Sequence, residues 1–320
     1  MTKKIVAGID IGGTNTKLGL VDEAGRILMH QTLRTASYDD AEMFAKELSS
    51  LLLYEARKFE DSILCGLGIG SPNGNYYTGI VEFAPNLPWK GRVPLARFFK
   101  DATNLPVAIT NDAKAAALGE MVFGGAKGME HFLFITMGTG LGSGIVSQGS
   151  LVYGHDGFAG EMGHMIIKEQ SNRLCGCGRY GCLETYASAT GLRKSYMKFL
   201  AERDKRADEV PENIDAKYIY KRAQAGDKDA IASFEYTGYI LGLALANAAA
   251  LFSPEAIFLF GGLTRAGQFI FNPTIKSFEK NLLNIYKGKI NILPSSLNES
   301  DAAILGAASL IWNELNNSKG

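Results

Sequence analysis

Cys175, Cys177 and Cys182 stand in a C-x-C-x4-C spacing inside one glycine-rich segment, Gly154 to Glu184, with His164 upstream of them. Three thiols and an imidazole form the donor set of a closed tetrahedral Zn²⁺ site, which is structural rather than catalytic. Cysteines two and five residues apart among glycines are poorly placed for a hydrophobic core, so zinc is a better reading than three unrelated buried thiols. Glu161 and Glu184 flank the cluster. The segment therefore reads as a metal-pinned loop that presents carboxylates and an imidazole to a polar ligand. A plain metal staple with no ligand nearby is the alternative.

A second kind of chemistry lies in two Gly/Thr turns, Gly12-Gly13-Thr14-Asn15 after the β-branched run Ile5 to Ile11, and Met137-Gly138-Thr139-Gly140 after His131 to Thr136. Glycines let backbone N–H groups approach an anion, and a threonine hydroxyl adds a donor without charge. Asp10, at the end of the first run, suits a hard cation such as Mg²⁺. There is no G-x-x-x-x-G-K-[ST], and Ser143 occupies the position that would complete G-x-G-x-x-G, so the P-loop and dinucleotide folds are disfavoured. Either turn alone could be a simple hairpin connection. Both together, with Gly261-Gly262 after the apolar run Ala256 to Phe260, favour a nucleotide.

Asn111-Asp112 opens an alanine-rich helix. An aspartate there is often only a cap. The same position also stabilises an ionised carboxylate and places it outside a sheet edge, where α/β ligands bind. In phosphoryl transfer to an alcohol the hydroxyl becomes acidic late, so a positioned carboxylate suffices as base.

These groups must be positioned by two similar units. Each starts with an apolar strand, a Gly/Thr turn and a return strand, Ile5 to Val21 and Phe132 to Val146, which predicts two lobes facing one cleft. Between them fall a strand at Arg26 to Leu33, a helix over Tyr38 to Phe59, a buried strand at Leu64 to Ile69, an exposed loop at Ala84 to Gly91, a helix over Val93 to Lys100 and a strand at Val107 to Thr110. The region after the glycine-rich segment is mainly helical. It includes a charged stretch, Lys198 to Glu212, read as a solvated face, and a last helix, Ala302 to Leu315, after Glu299-Ser300-Asp301. With 33 basic and 33 acidic residues the formal charge is zero, which argues against nucleic acid or membrane binding driven by bulk charge. The longest apolar stretch, Tyr239 to Phe252, contains Asn247 and is too short to span a membrane. No targeting segment is visible, and cysteines grouped for metal fit a reducing cytoplasm, with Cys65 a core residue.

Taken together, DIGGTNTKLGLVD (10–22), NDAKAAALGE (111–120), TMGTGLGSGIV (136–146), GHDGFAGEMGHM (154–165), CGCGRYGCLE (175–184) and GGLT (261–264) resemble the ROK sugar kinases and repressors. The resemblance implies an α/β, two-lobed actin/hexokinase-like ATPase fold with duplicated ribonuclease-H-like lobes and an inserted zinc loop at 154–184. One lobe would comprise 1–111 plus 301–320, the other 112–300. It implies an ATP-dependent hexose kinase, glucose to glucose 6-phosphate first, with N-acetylglucosamine, N-acetylmannosamine, mannose or fructose as alternative substrates. Asp112 would be the base, and Asn111, Glu161, His164 and Glu184 would bind sugar hydroxyls. Asp10, Gly12, Gly13, Thr14, Asn15, Lys17, Gly138, Thr139, Gly140, Gly261 and Gly262 would serve ATP and Mg²⁺. His164, Cys175, Cys177 and Cys182 would hold zinc, and His155 would be structural. A homodimer in the cytoplasm, with no nucleic acid or membrane partner, completes the expectation. ROK repressors carry a winged helix ahead of the first strand, and the strand at Ile5 leaves no room for one here, which disfavours a DNA-binding regulator. The zinc loop likewise disfavours a protein-binding, actin-like ATPase. Ser71-Pro72-Asn73-Gly74 departs from the family's Pro-Gly order.

Overall fold

The β-branched run at the start of the chain forms β1 (Lys3–Ile11), which turns back through 12–15 into the antiparallel β2 (Thr16–Asp22). β3 (Ile27–Leu33) extends the sheet beyond β2. After α1 (Ala41–Ala56), β4 (Ser62–Gly70) pairs parallel to β1. A two-stranded ribbon of β5 (Val81–Glu82) and β6 (Arg92–Val93), then α2 (Leu95–Thr103), lead to β7 (Val107–Thr110), parallel to β4. The first sheet has the order β3-β2-β1-β4-β7. The second begins after α3 (Asp112–Phe123), with β8 (Phe132–Met137), β9 (Leu141–Ser147) and β10 (Ser150–Leu151). The glycine-rich segment, α4 (Glu184–Ala187), α5 (Ala189–Glu202), α6 (Ala216–Gln224) and α7 (Lys228–Phe252) follow. β11 (Ala256–Phe260), α8 (Gln268–Asn281), β12 (Asn291–Pro294) and α9 (Ala302–Asn317) close the chain. The second sheet has the order β10-β9-β8-β11-β12. Both sheets thus run antiparallel, antiparallel, parallel, parallel from the outer hairpin strand inward, so the duplication expected from the two strand–turn–strand units extends to whole sheets. The computed structural model describes residues 2–202, 211, 214–298 and 301–317.

Alternation along β1 divides the core. Ile5, Ala7, Ile9 and Ile11 pack with Phe44, Leu48 and Leu52 of α1 and Leu95 and Phe99 of α2. Val6 packs on the other side with Ala116 and Ala117 of α3, Ile304 and Ile311 of α9, and Phe132, Phe134 and Val146 of the second sheet. Leu133 and Ile135 face Leu192, Leu241 and Phe278 on the far side of that sheet. The period-2 pleat therefore sandwiches α3 and α9 between the sheets, and a helix buried on both sides reads as continuously apolar.

Several sequence expectations shift. α1 starts after Asp40, whose side chain accepts from Met43 N at 2.8 Å, rather than at Tyr38. Val93 belongs to β6, opposite Val81, and α2 starts only after Pro94. The loop 84–91 is not simply exposed: Leu87 and Trp89 are buried, and Trp89 Nε1 donates to Tyr38 O at 2.9 Å. Cys65 is half-buried beside the central layer. The charged stretch at 198–212 is described only through 202 and at 211, and residues 299 and 300, before α9, also lie outside the described residues. Among the described residues, no helix is long and apolar enough to cross a membrane.

Candidate active site

Register brings the catalytic candidates to one sheet edge. Asp10 pairs with Lys17 across β1–β2 and with Gly70 across β1–β4, and Gly70 pairs with Thr110 of β7. The chain leaves Thr110 directly into Asn111 and Asp112. Asn111 is the cap of α3, its Oδ1 accepting from Ala113 N at 2.9 Å and Lys114 N at 3.4 Å. Capping is thereby assigned to Asn111, which leaves its amide free to donate. Asp112 is the first helical residue, with Oδ1 accepting from Ala113 N at 2.8 Å. A side-chain carbon at Gly70 would stand 3.6 Å from Asp112 Cα and 3.8 Å from Asp10 Oδ1, so the two aspartates flank a residue that has no side chain.

The electrostatics are those of an acidic pair in a confined place. Burial pushes the Asp10 carboxyl up to about 7, Asp112 adds to the rise, and Lys17 opposes it. Burial also raises Asp112, against the Ala113 N–H, although the residue is exposed to solvent. The two observations agree if Asp112 lies at the foot of an opening, enclosed on most sides and reachable from one. A carboxyl whose pKa is raised is, in its ionised form, a stronger proton acceptor than an ordinary carboxylate.

Glu161 precedes, and His164 ends, a short 3₁₀ turn, Met162–His164. β9 sets this turn: the Ser143 hydroxyl donates to Gly160 O and accepts from Met162 N, which gives the residue that breaks the dinucleotide pattern a structural task. Burial raises the Glu161 carboxyl, Lys114 and His164 oppose the rise, and Asp112 and Glu184 add to it. The carboxylates expected to handle sugar thus share one electrostatic neighbourhood with Asp112.

His164, Cys175, Cys177 and Cys182 offer ligand atoms that all lie within 4.8 Å of one another. His164 Nδ1 is 3.5 Å from Cys175 Sγ, and the Cys177 and Cys182 sulfurs are 3.6 Å apart. Ligands 2.0–2.3 Å from one ion stand about 3.3–3.8 Å apart at tetrahedral corners, so the donor set fits Zn²⁺. A disulfide would need about 2.0 Å between sulfurs. His155, exposed in the loop before Glu161, is outside this group.

Glu184 begins α4. Its Oε1 accepts from Cys175 Sγ at 2.9 Å, and its Oε2 stands 2.8 Å from where a side-chain carbon of Gly140 would lie. It therefore touches both the thiol cluster and the second Gly/Thr turn. That turn is tied further, with Ala189 N donating to Gly138 O at 2.9 Å and the Thr190 hydroxyl to Thr139 O at 2.8 Å. The first turn closes through Gly12 N to Asn15 O at 3.0 Å, and Gly13 lies so close to Asn86 that a side-chain carbon would be 2.1 Å from its carbonyl oxygen. Gly261, with a left-handed φ of 105°, follows β11 beside the end of β8, near Met137.

A family model described as ROK family matches residues 6–314. The chain belongs to the ROK family. A glucokinase of Thermotoga maritima is 36% identical over 97% of this chain and 98% of its own length. The crystal structure of a ROK family glucokinase from Streptomyces griseus in complex with glucose and AMPPNP matches with a TM-score of 0.77 and 33% identity, covering 96% of this chain and 98% of that one. A ROK hexokinase from Thermus thermophilus matches with a TM-score of 0.82 and 28% identity, over 98% and 99% of the two chains. The hexokinase-like fold expected from the sequence is therefore the fold of this ROK chain.

Sequence reasoning missed two features of this ROK site. Asn86 lies against Gly13 of the first Gly/Thr turn, in a stretch that contains the buried Leu87 and Trp89 and that the sequence suggested was only an exposed loop. Lys114 is buried in the α3 layer, where the alanine run drew attention to helix propensity rather than to the single charge within it.

Proposed function

We propose that this chain is an ATP-dependent hexose kinase that converts glucose to glucose 6-phosphate. The observation that carries this reading is the Asp10–Gly70–Thr110 row, with Asp112 at the solvent-open end of it. Asp112 takes the proton of the sugar hydroxyl as that oxygen bonds to the γ-phosphorus, while the bond from the γ-phosphorus to the oxygen bridging it to the β-phosphate breaks and ADP leaves. Such general-base help supplies about 10²- to 10⁴-fold, and alignment with charge stabilisation supplies the rest. The Asn111 amide, Glu161, His164 and Glu184 fix the remaining hydroxyls. Backbone N–H groups of Gly12–Asn15 and Gly138–Gly140, with Lys17 and Gly261-Gly262, receive the phosphates. Asp10 would hold Mg²⁺, which when bound neutralises charge on the phosphates.

His164, Cys175, Cys177 and Cys182 would hold a structural Zn²⁺ that fixes the loop bearing Glu161 and Glu184. The lobes would be 1–111 plus 301–320, and 112–300. Exposed Leu251, Leu283 and Ile285 support a second copy of the chain as partner, in the cytoplasm.

A coupled ADP-release assay over glucose, mannose, fructose, N-acetylglucosamine and N-acetylmannosamine tests this reading. ADP release that depends on glucose supports it. Dependence on another of these sugars reassigns the substrate. Release without sugar would point to a protein-binding ATPase, and sugar binding without release to a non-catalytic regulator.

A further inference from the structure

Lys114 is the third residue of α3, two positions after Asp112, and only 1% exposed. No step of the reaction above uses it. Its Nζ donates to Gly157 O at 2.7 Å and lies 5.7 Å from the centre of the Tyr153 ring. A buried ammonium is costly unless acceptors and counter-charge reach it. Here burial lowers its pKa, and Glu161 and Asp156 oppose that fall.

The first lobe holds the same loop. Tyr77 Oη donates to Gly154 O at 3.0 Å, and Asn75 Nδ2 donates to Asp156 O at 2.8 Å. Asn75 is itself fixed, its Oδ1 accepting from Tyr77 N at 3.0 Å and Thr78 N at 3.3 Å. A side-chain carbon on Gly157 would stand 2.7 Å from that Oδ1, so the loop lies flush against Asn75. Three donors thus collect the carbonyls of residues 154, 156 and 157, just before the turn that carries Glu161. One of the three rises from the same helix turn as Asp112.

We propose that Lys114 is a positioning residue for sugar recognition, holding the 154–160 loop so that Glu161 stays in register with Asp112, with Asn75 and Tyr77 completing the clasp from the other lobe. The sugar as the ligand of Glu161 rests on the kinase reading above; the clasp itself does not. Lys114 touches neither a reacting atom nor, by this account, the sugar. Its loss should therefore appear in substrate affinity and loop order rather than in turnover.

The test compares wild type, Lys114→Met and Tyr77→Phe, by hydrogen exchange of peptides covering 154–161 without ligand and by steady-state kinetics with glucose and ATP. In Lys114→Met the loop amides should exchange at least about tenfold faster and the glucose KM rise about tenfold, as for loss of a charge-assisted hydrogen bond, with kcat within about threefold of wild type. Tyr77→Phe alters a ring that is 57% exposed. It should move exchange and KM the same way by about threefold, and it carries the test if Lys114→Met does not fold. Unchanged exchange and KM in folded Lys114→Met, or in Tyr77→Phe when it stands alone, would overturn the clasp. So would a collapse of kcat with KM unchanged. A wild type that phosphorylates no hexose would defeat the kinase reading, while the exchange comparison still decides the clasp.

Discussion

Replacing Asp10 by asparagine keeps the shape at the end of β1 and removes a charge from a place where charge is costly. Burial, then Asp112, lift this carboxyl from 3.8 to about 7, with Lys17 as the opposing neighbour. The native state therefore retains a proton that the unfolded chain has already released. Stability falls as pH rises between about 4 and 7 and remains lower above that window. At about 1.4 kcal/mol per pH unit Asp10 costs up to about 4 kcal/mol at pH 8, where it is ionised in the native state, and about 2 kcal/mol at pH 5, where folding must take up a proton that the unfolded chain has released. With an unfolding entropy of about 2.1 cal/mol/K per residue, the variant should melt up to about 6 °C higher at pH 8 and about 2 °C higher at pH 5. The assay is calorimetric or fluorimetric melting across that pH range without Mg²⁺ or nucleotide, and without a chelator, so that the Zn²⁺ proposed for the thiol cluster is not stripped. Kinase activity should be lost in the same variant, because an amide would replace the anionic ligand proposed for Mg²⁺. A melting point equal to or below wild type at pH 8, or a difference that does not change with pH, would refute the argument that Asp10 and Asp112 form a strained acidic pair.

Asp112→Asn should leave glucose affinity largely intact while kcat falls at least about a hundredfold; comparable turnover would remove Asp112 from the role of base. Elemental analysis should find about one zinc per chain, and Cys177→Ser should lose metal and glucose binding together. Metal-free protein with normal sugar affinity would contradict the loop-scaffold account. Gly13→Ala should raise the ATP KM at least about fivefold with glucose affinity unchanged, since its new carbon meets the Asn86 carbonyl at 2.1 Å and strain of a kcal/mol or more falls on the first Gly/Thr turn, where the phosphates are proposed to bind. Normal ATP kinetics in that variant would show that the turn does not receive the nucleotide.

The repeated strand–turn–strand units were legible because β-branched runs ending in Gly/Thr turns leave few other conformations. The full order of both sheets was not, since it depends on where β4, β7, β11 and β12 cross over, which local pattern does not encode. The thiol cluster was legible from spacing alone, because cysteines among glycines have few other uses. Which of Asn111 and Asp112 caps α3 was not, because both side chains cap well and only backbone geometry separates them. Pro85 and Pro88 suggested an exposed loop at 84–91, whereas Leu87 and Trp89 were the better signal, since large apolar side chains anchor a loop to a core. Lys114 carried no periodic signature because α3 is enclosed by both sheets and α9 and has no solvated face against which a buried charge would stand out.

The short helix Glu184–Ala187 stands between the cysteine cluster and the turn at 138–140, and the start of α5 bonds to that turn. Under the proposed assignment of sugar to Glu184 and phosphate to the 138–140 turn, choice of acceptor and choice of donor would be mechanically joined. A directed-evolution library that varies residues 184–190 to broaden hexose range would also carry changes in nucleotide preference, and its variants need screening on both axes.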